Sequence, residues 1–268
     1  MISKLAHIDP NAQIGNHVTI EPFAVVHGDT VVGDGTHLMS HSVIMPGARI
    51  GKNCKIYPGA VIGGKPQDLK YRGENTIAEI GDNTVIRECV TVNLGTTDKW
   101  KTVVGSHCLL MAYAHVAHDC IIGDHVILAN SVNLAGHIDV GDYAIIGGMT
   151  GAHQFTKIGA HTYIAGQSAI RKDVPPYVRA AREPLSYIGI NVVGLQRRNF
   201  SKETIEEISK IYHILFVQGH TTSAAINIIE AEIAESPVKN EILEFVKTSQ
   251  PGIIRRFIKD GLNEDIAF

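Results

Sequence analysis

Histidine is the side chain best suited to move a proton near neutral pH. Five histidines lie between residues 115 and 153 of this chain, and four of them, His115, His118, His137 and His153, could meet on one patch. Asp119 follows His118 directly, and Gly136 and Gln154 lie next to His137 and His153. Their spacing is informative. His118, Gly136 and Gln154 are separated by steps of 18, and so are Asp119, His137 and Phe155. In a chain that repeats its path every 18 residues, each set stacks in a column at about one strand spacing, ~4.8 Å. Imidazoles, a carboxylate and a glycine then meet on one outer patch.

Such a patch can carry out acid–base chemistry. A neutral imidazole accepts a proton from a hydroxyl, and a neighbouring carboxylate fixes its tautomer. A glycine N–H one coil away can face a developing oxyanion. No serine or cysteine shares the His118 column, which favours direct transfer to a substrate hydroxyl over a covalent enzyme intermediate. Spacing alone leaves open which histidine is the base.

The step of 18 follows from a repeat of six. Ile14-Gly15, Val32-Gly33, Ile50-Gly51, Ile62-Gly63, Ile80-Gly81, Val104-Gly105, Ile122-Gly123, Val140-Gly141 and Ile158-Gly159 are separated by multiples of six. Reading every sixth residue from Ile2 to Ile170, only Asp68, Glu74, Asp98 and Ala152 are not Ile, Leu or Val. Neither a helix nor a simple alternating strand has that period. Four residues after each aliphatic comes a small side chain, as at Ala24, Ser42, Cys54, Ala60, Cys108, Ala114, Cys120 and Ala144. Large and small residues at fixed spacing fill a narrow tube without voids. Three hexads make one triangular coil, and the expected fold is an all-β parallel β-helix. Three of the four cysteines fall in the small inward column and read as core filler. The twelve histidines before residue 170 avoid both inward columns. They therefore lie outside the tube or at its corners, and most of them, His7, His17, His27, His37 and His41 among them, read as solvated.

Two segments break the columns, Lys65 to Asn75 and Leu94 to Lys101. Both read as loops thrown out from the helix, and polar loops on a rigid scaffold often carry binding residues. Beyond Pro175-Pro176 the period vanishes. Ser201 reads as a helix N-cap with Glu203 and Glu206 in the first turn. Helical spacing continues over about 222–235 and 238–248, broken by Gly219, Pro237 and Pro251. The chain thus divides into a β-helix over 1–186, with loops at 65–75 and 94–101, and a small C-terminal α-helical domain over 187–268.

Composition narrows the class. Lysine plus arginine number 24 against 27 acidic residues, a net charge of −3, with no footprint for nucleic acid or an anionic membrane. The N-terminus lacks a secretion signal pattern, and no apolar run is long enough to span a bilayer. Four cysteines do not suggest a disulfide framework. These features predict a cytoplasmic protein with no stable membrane insertion.

The segments QDLKY (67–71), AHVAHDC (114–120), LAGH (134–137), IIGGMTGAHQF (145–155), DVPPYV (173–178) and GLQRRNF (194–200) resemble the UDP-N-acetylglucosamine acyltransferase family of lipid A biosynthesis, within the hexapeptide-repeat transferases. The similarity covers nearly the whole chain. The resemblance, not the period, implies a left-handed helix, since parallel crossovers are otherwise right-handed. It implies a homotrimer that needs no cofactor or metal. The family moves a 3-hydroxyacyl group from acyl carrier protein to the 3-hydroxyl of UDP-N-acetylglucosamine. Matched motif by motif, His118 would be the general base, Asp119 its orienting partner and the Gly136 N–H the oxyanion donor. Gln67, Asp68, Lys70, His115, His137, His153 and Gln154 would line the sugar and pantetheine cleft. Asn191 and Arg198 would contact the nucleotide, and Gly166 would leave the acyl groove open to long chains.

The chain departs from the family pattern at Asn93, where the family has histidine, and at Val193, where it has an acidic residue. The first leaves open whether the acceptor atom is a hydroxyl or the amine of a 3-amino sugar. Two further alternatives stand beside this reading. The N-acyltransferase of the same pathway carries a uridine-binding domain ahead of its helix, whereas hexads here begin at Ile2. A γ-type carbonic anhydrase shares the fold and holds zinc on three histidines between subunits.

Overall fold

A computed structural model describes residues 1–256, so the expected stretch 257–268 lies outside the described residues. Most hexads form a strand of only two or three residues, ending on the inward aliphatic. Strands 18 residues apart pair in parallel, as in Val25↔Val43 and Ile127↔Ile145. The result is a three-sided prism. Its faces are sheets of nine, eight and eleven strands, called here sheets one, two and three. Sheet one begins at His7–Ile8, sheet two at Gln13–Ile14 and sheet three at Thr19–Ile20. Both inward columns are realised. Leu38, Ile56, Ile86, Leu110, Leu128 and Ile146 are fully buried, as are the small residues Ala24, Ser42, Ala60 and Ala144. Each large aliphatic so buried contributes about 1.5–3 kcal/mol.

Cys54, Cys108 and Cys120 are buried free thiols, each donating to a carbonyl of a following turn at 3.1–3.2 Å. Burial pushes Cys108 up to about 11 and Cys120 to about 12, so neither serves as a nucleophile.

The corners explain most of the histidines. Nearly every corner turns through one residue with positive φ, and His17, His41, His107, His125, His137 and His161 occupy such positions. Histidine tolerates the left-handed region better than most side chains. Corner rings one coil apart then stack. His107, His125, Tyr143, His161 and Tyr177 form a ladder with centroids 4.8, 4.5, 4.9 and 5.6 Å apart. Burial and the Arg198 guanidinium push His161 down to about 4, which keeps its ring neutral in the stack.

Sheet three continues into the antiparallel pair Val178–Ala181 and Ser186–Ile190, so a strand runs across the boundary expected at 186. The tail then forms α1 (Val192–Arg197), α2 (Lys202–Phe216), α3 (Thr222–Glu232) and α4 (Pro237–Thr248). Ser201 caps α2 by accepting from the Thr204 N–H. Glu203 lies in its first turn, but Glu206, expected there too, falls one residue beyond. α2 buries Ile208, Ile211, Tyr212 and Leu215, and the Tyr212 hydroxyl donates to the Pro176 carbonyl at 2.6 Å. Among the described residues no helix is long and apolar enough to cross a membrane.

Candidate active site

The prism has three edges, and they divide the predicted site residues. Every chain segment passing from sheet one to sheet two turns at the same edge. There the strands Thr91–Asn93, His115–Val116, Asn133–Leu134 and Gly151–Ala152 end one below another. This edge carries His118, Asp119, Gly136, His137, His153 and Gln154, together with both loops.

The two predicted columns form. His118 Nδ1 lies 2.9 Å from Asp119 Oδ2. An ionised carboxylate only accepts, so Nδ1 carries the proton and Nε2 presents a lone pair. A Cβ built on Gly136 would fall 2.5 Å from His118 Cε1 and 2.7 Å from Nε2. Only glycine lets the backbone come this close to the imidazole. The buried Gly136 N–H has no hydrogen-bond partner among the described residues, so it is free to serve as a donor. His137 stacks on Phe155 with centroids 4.4 Å apart and meets His118 edge-on at 5.0 Å.

Asp119 is fully buried. Burial opposes its ionisation, but the donors around it outweigh that effect and hold the carboxyl below its ordinary range. These donors are the Thr96 N–H at 2.9 Å, the Thr96 hydroxyl at 2.7 Å, the Lys99 N–H at 3.1 Å and the His118 ring. Asp119 therefore remains an anion able to stabilise a protonated His118. Three of its donors come from the loop Leu94–Trp100, which lies back over the edge instead of projecting away from it. Thr96 and Lys99 were not among the candidate residues. Their one outward signal was Asp98, a carboxylate standing where the aliphatic column should continue.

His115 is held by Thr91, whose hydroxyl lies 2.7 Å from Nδ1. Burial, aided by His118, lowers its pKa, so it lines the site as a neutral ring. On the same edge an open cavity of about 440 Å³ is bordered by Asp98, His137, His153, Gln154 and Arg171. Asn93 is buried at the loop's root with its Oδ1 unpaired among the described residues.

Other candidates stand apart from this cluster. Gln67 and Lys70 lie on the exposed loop, where Asp68 accepts from the Lys70 N–H, and no described contact joins them to His118. Asn191 caps α1 and donates to the His161 carbonyl at 2.8 Å. Arg198 donates to the Tyr143 carbonyl at 3.2 Å and stacks over the Tyr143 ring. Both lie against the edge between sheets two and three. The Arg198 Nη1 is buried without a partner among the described residues. Gly166 sits on the third edge, between sheets three and one. A Cβ there would meet the Gly148 carbonyl oxygen at 2.9 Å, so a larger residue would have to shift backbone. Val193 is exposed on α1.

His118, Asp119 and His137 offer ligand atoms within 4.8 Å of one another. The Asp119 oxygens are already taken by four donors, and His118 Nδ1 is committed to it. This set suits proton transfer better than a metal.

Repeats of this kind, carrying such a site, define a bacterial hexapeptide-repeat transferase, and a model of six hexapeptide repeats matches residues 29–64 and 101–136. A second model, UDP-N-acetylglucosamine O-acyltransferase domain 2, matches 173–254. The acyl-[acyl-carrier-protein]–UDP-N-acetylglucosamine O-acyltransferase of Chlorobaculum parvum is 47% identical over 96% of this chain and 97% of its own. That of Thermodesulfovibrio yellowstonii is 43% identical over 95% and 99%. The crystal structure of the UDP-N-acetylglucosamine acyltransferase from Bacteroides fragilis superposes with a TM-score of 0.94 at 48% identity, covering 95% of this chain and all of that one. The Acinetobacter baumannii structure gives 0.91 at 43%, covering 95% and 99%. The chain belongs to the UDP-N-acetylglucosamine O-acyltransferase family, and it winds as the left-handed parallel β-helix expected of it. Neither the N-acyltransferase nor the carbonic anhydrase alternative is favoured by these relatives.

Proposed function

We propose that this protein transfers a 3-hydroxyacyl group from acyl carrier protein to the 3-hydroxyl of UDP-N-acetylglucosamine, the first step of lipid A biosynthesis. The observation that carries this reading is the His118–Asp119 dyad, 2.9 Å apart, on an edge of a chain from this O-acyltransferase family. His118 Nε2 takes the proton of the sugar hydroxyl as its oxygen attacks the thioester carbon. Negative charge develops on the thioester oxygen, and the Gly136 N–H is the donor for it. Collapse breaks the C–S bond, and the proton held on His118 passes to the departing sulfur. No acyl-enzyme forms.

The division of the site among edges supports a homotrimer. Asn191 and Arg198 are separated from His118 by the width of sheet two, so one chain does not surround a nucleotide sugar. A neighbouring copy in a cyclic assembly can bring its nucleotide-binding edge against the catalytic edge. The exposed loop carrying Gln67, Asp68 and Lys70 would reach toward such a neighbour. Such a protein works in the cytoplasm, where its carrier-bound donor is made.

Mass spectrometry of the nucleotide sugar, after incubation with a panel of acyl carrier protein thioesters, tests the reaction. The expected product is an O-acyl ester of UDP-N-acetylglucosamine, and the panel reports which donor length is preferred. An unmodified sugar with every donor, or acylation confined to a 3-amino sugar, would contradict the proposal.

A further inference from the structure

A second imidazole–carboxylate pair stands beside the first. His137 Nδ1 lies 3.0 Å from Asp98 Oδ2, while His137 Nε2 lies 3.9 Å from Asp119 Oδ2, beyond hydrogen-bond range. Asp98 comes from the same Leu94–Trp100 loop that supplies Thr96 and Lys99 to Asp119. The Lys99 ammonium extends past the site to Asp139 at 2.7 Å. One loop therefore grips two successive coils of the edge, the first through Asp119 and the next through His137 and Asp139. Asp98 is 61% exposed while the His137 ring is 12% exposed. A pair with one such exposed partner contributes little to stability, so its value lies in aiming the ring.

We infer that Asp98 is a positioning residue for the transferase reaction: by accepting the Nδ1 proton of His137, it leaves Nε2 as a fixed hydrogen-bond acceptor beside His118 and Asp119. Both residues border the open cavity on this edge. The His137 ring meets His118 edge-on, so a substrate donor bound at His137 Nε2 sits beside the base. Neutral His137 in the opposite tautomer would offer an N–H there, and the same substrate group would be repelled. The loop thus sets the tautomers of two histidines at once, His118 through a carboxylate it holds and His137 through one it carries. This inference rests on the reaction proposed above only for its kinetic consequence.

Two readouts test it on the full-length protein. Histidine-selective ¹⁵N NMR at pH 8 reads the His137 tautomer without turnover, the signal being assigned by its loss in His137→Gln. The expected result is a proton on Nδ1 in the native protein and a shift toward Nε2–H in Asp98→Ala. Steady-state kinetics of Asp98→Ala should show kcat lowered about tenfold, less than the ~10²-fold of a full 1 Å displacement, with acceptor KM changed less than twofold. Asp98→Glu should recover most of the loss, which a role in loop folding alone would not explain. A native His137 protonated on Nε2 alone, or an Asp98→Ala enzyme with unchanged kcat, overturns the inference. The NMR result stands whether or not His118 is the base, so the two readings fail separately.

Discussion

Replacing His118 with alanine is expected to lower kcat by about 10²–10⁴-fold, the usual worth of a general base, while nucleotide-sugar binding stays near normal. The expectation follows from geometry. Asp119 fixes the ring with Nδ1–H toward itself, so Nε2 is the one free base on this imidazole, and alanine removes it outright. The side chain lies outside both inward columns, so the prism should keep its thermal stability. A fall in kcat and kcat/KM by equal factors marks loss of an interaction made in the transition state. Near-full activity in an assembled His118→Ala enzyme would show that another histidine of the cluster is the base.

Gly136→Ala should be nearly as damaging, about 10²-fold in kcat, although it adds a single methyl group. That methyl would stand 2.5 Å from His118 Cε1, closer than non-bonded carbons approach. The ring must swing away, breaking its bond to Asp119 and misaligning Nε2, and displacements of about 1 Å cost this much. The same methyl crowds the Gly136 N–H, the proposed oxyanion donor. Steady-state kinetics beside thermal denaturation separates this from unfolding. An alanine enzyme with native kcat would mean that neither the close approach nor the free N–H matters to the reaction.

Much of this site was legible because register is unbroken between residues 102 and 170, which makes position in the prism a matter of counting. The His118–Gly136–Gln154 and Asp119–His137–Phe155 columns follow from steps of 18, and the structure stacks them as counted. The Leu94–Trp100 loop has no period, so nothing in its residue order says that Thr96 and Lys99 close on Asp119. Asp98 was visible only as a break in the aliphatic column, a sign of a loop but not of its partner His137. The corner histidines were legible as outward-facing, yet their ring stacking depends on the positive-φ turn, which the hexad pattern does not reveal. Asn191 and Arg198 were named by motif alone. Their place on a different edge comes from how α1 packs against Tyr143 and His161, a tertiary contact with no local signature.

Complementation between two inactive variants tests most directly the claim that the site joins the His118 edge of one chain to the Arg198 edge of its neighbour. His118→Ala and Arg198→Ala are each expected to be nearly inactive alone. Unfolded together at equal amounts and refolded, they should form mixed assemblies in which some interfaces carry an intact His118 beside an intact Arg198. Random assortment of a cyclic homo-oligomer leaves about one interface in four fully native, so activity should rise to roughly a quarter of that of the native protein. If each site lay within one chain, every chain in the mixture would still lack one essential residue. Activity no greater than the sum of the two separate variants would contradict the shared site.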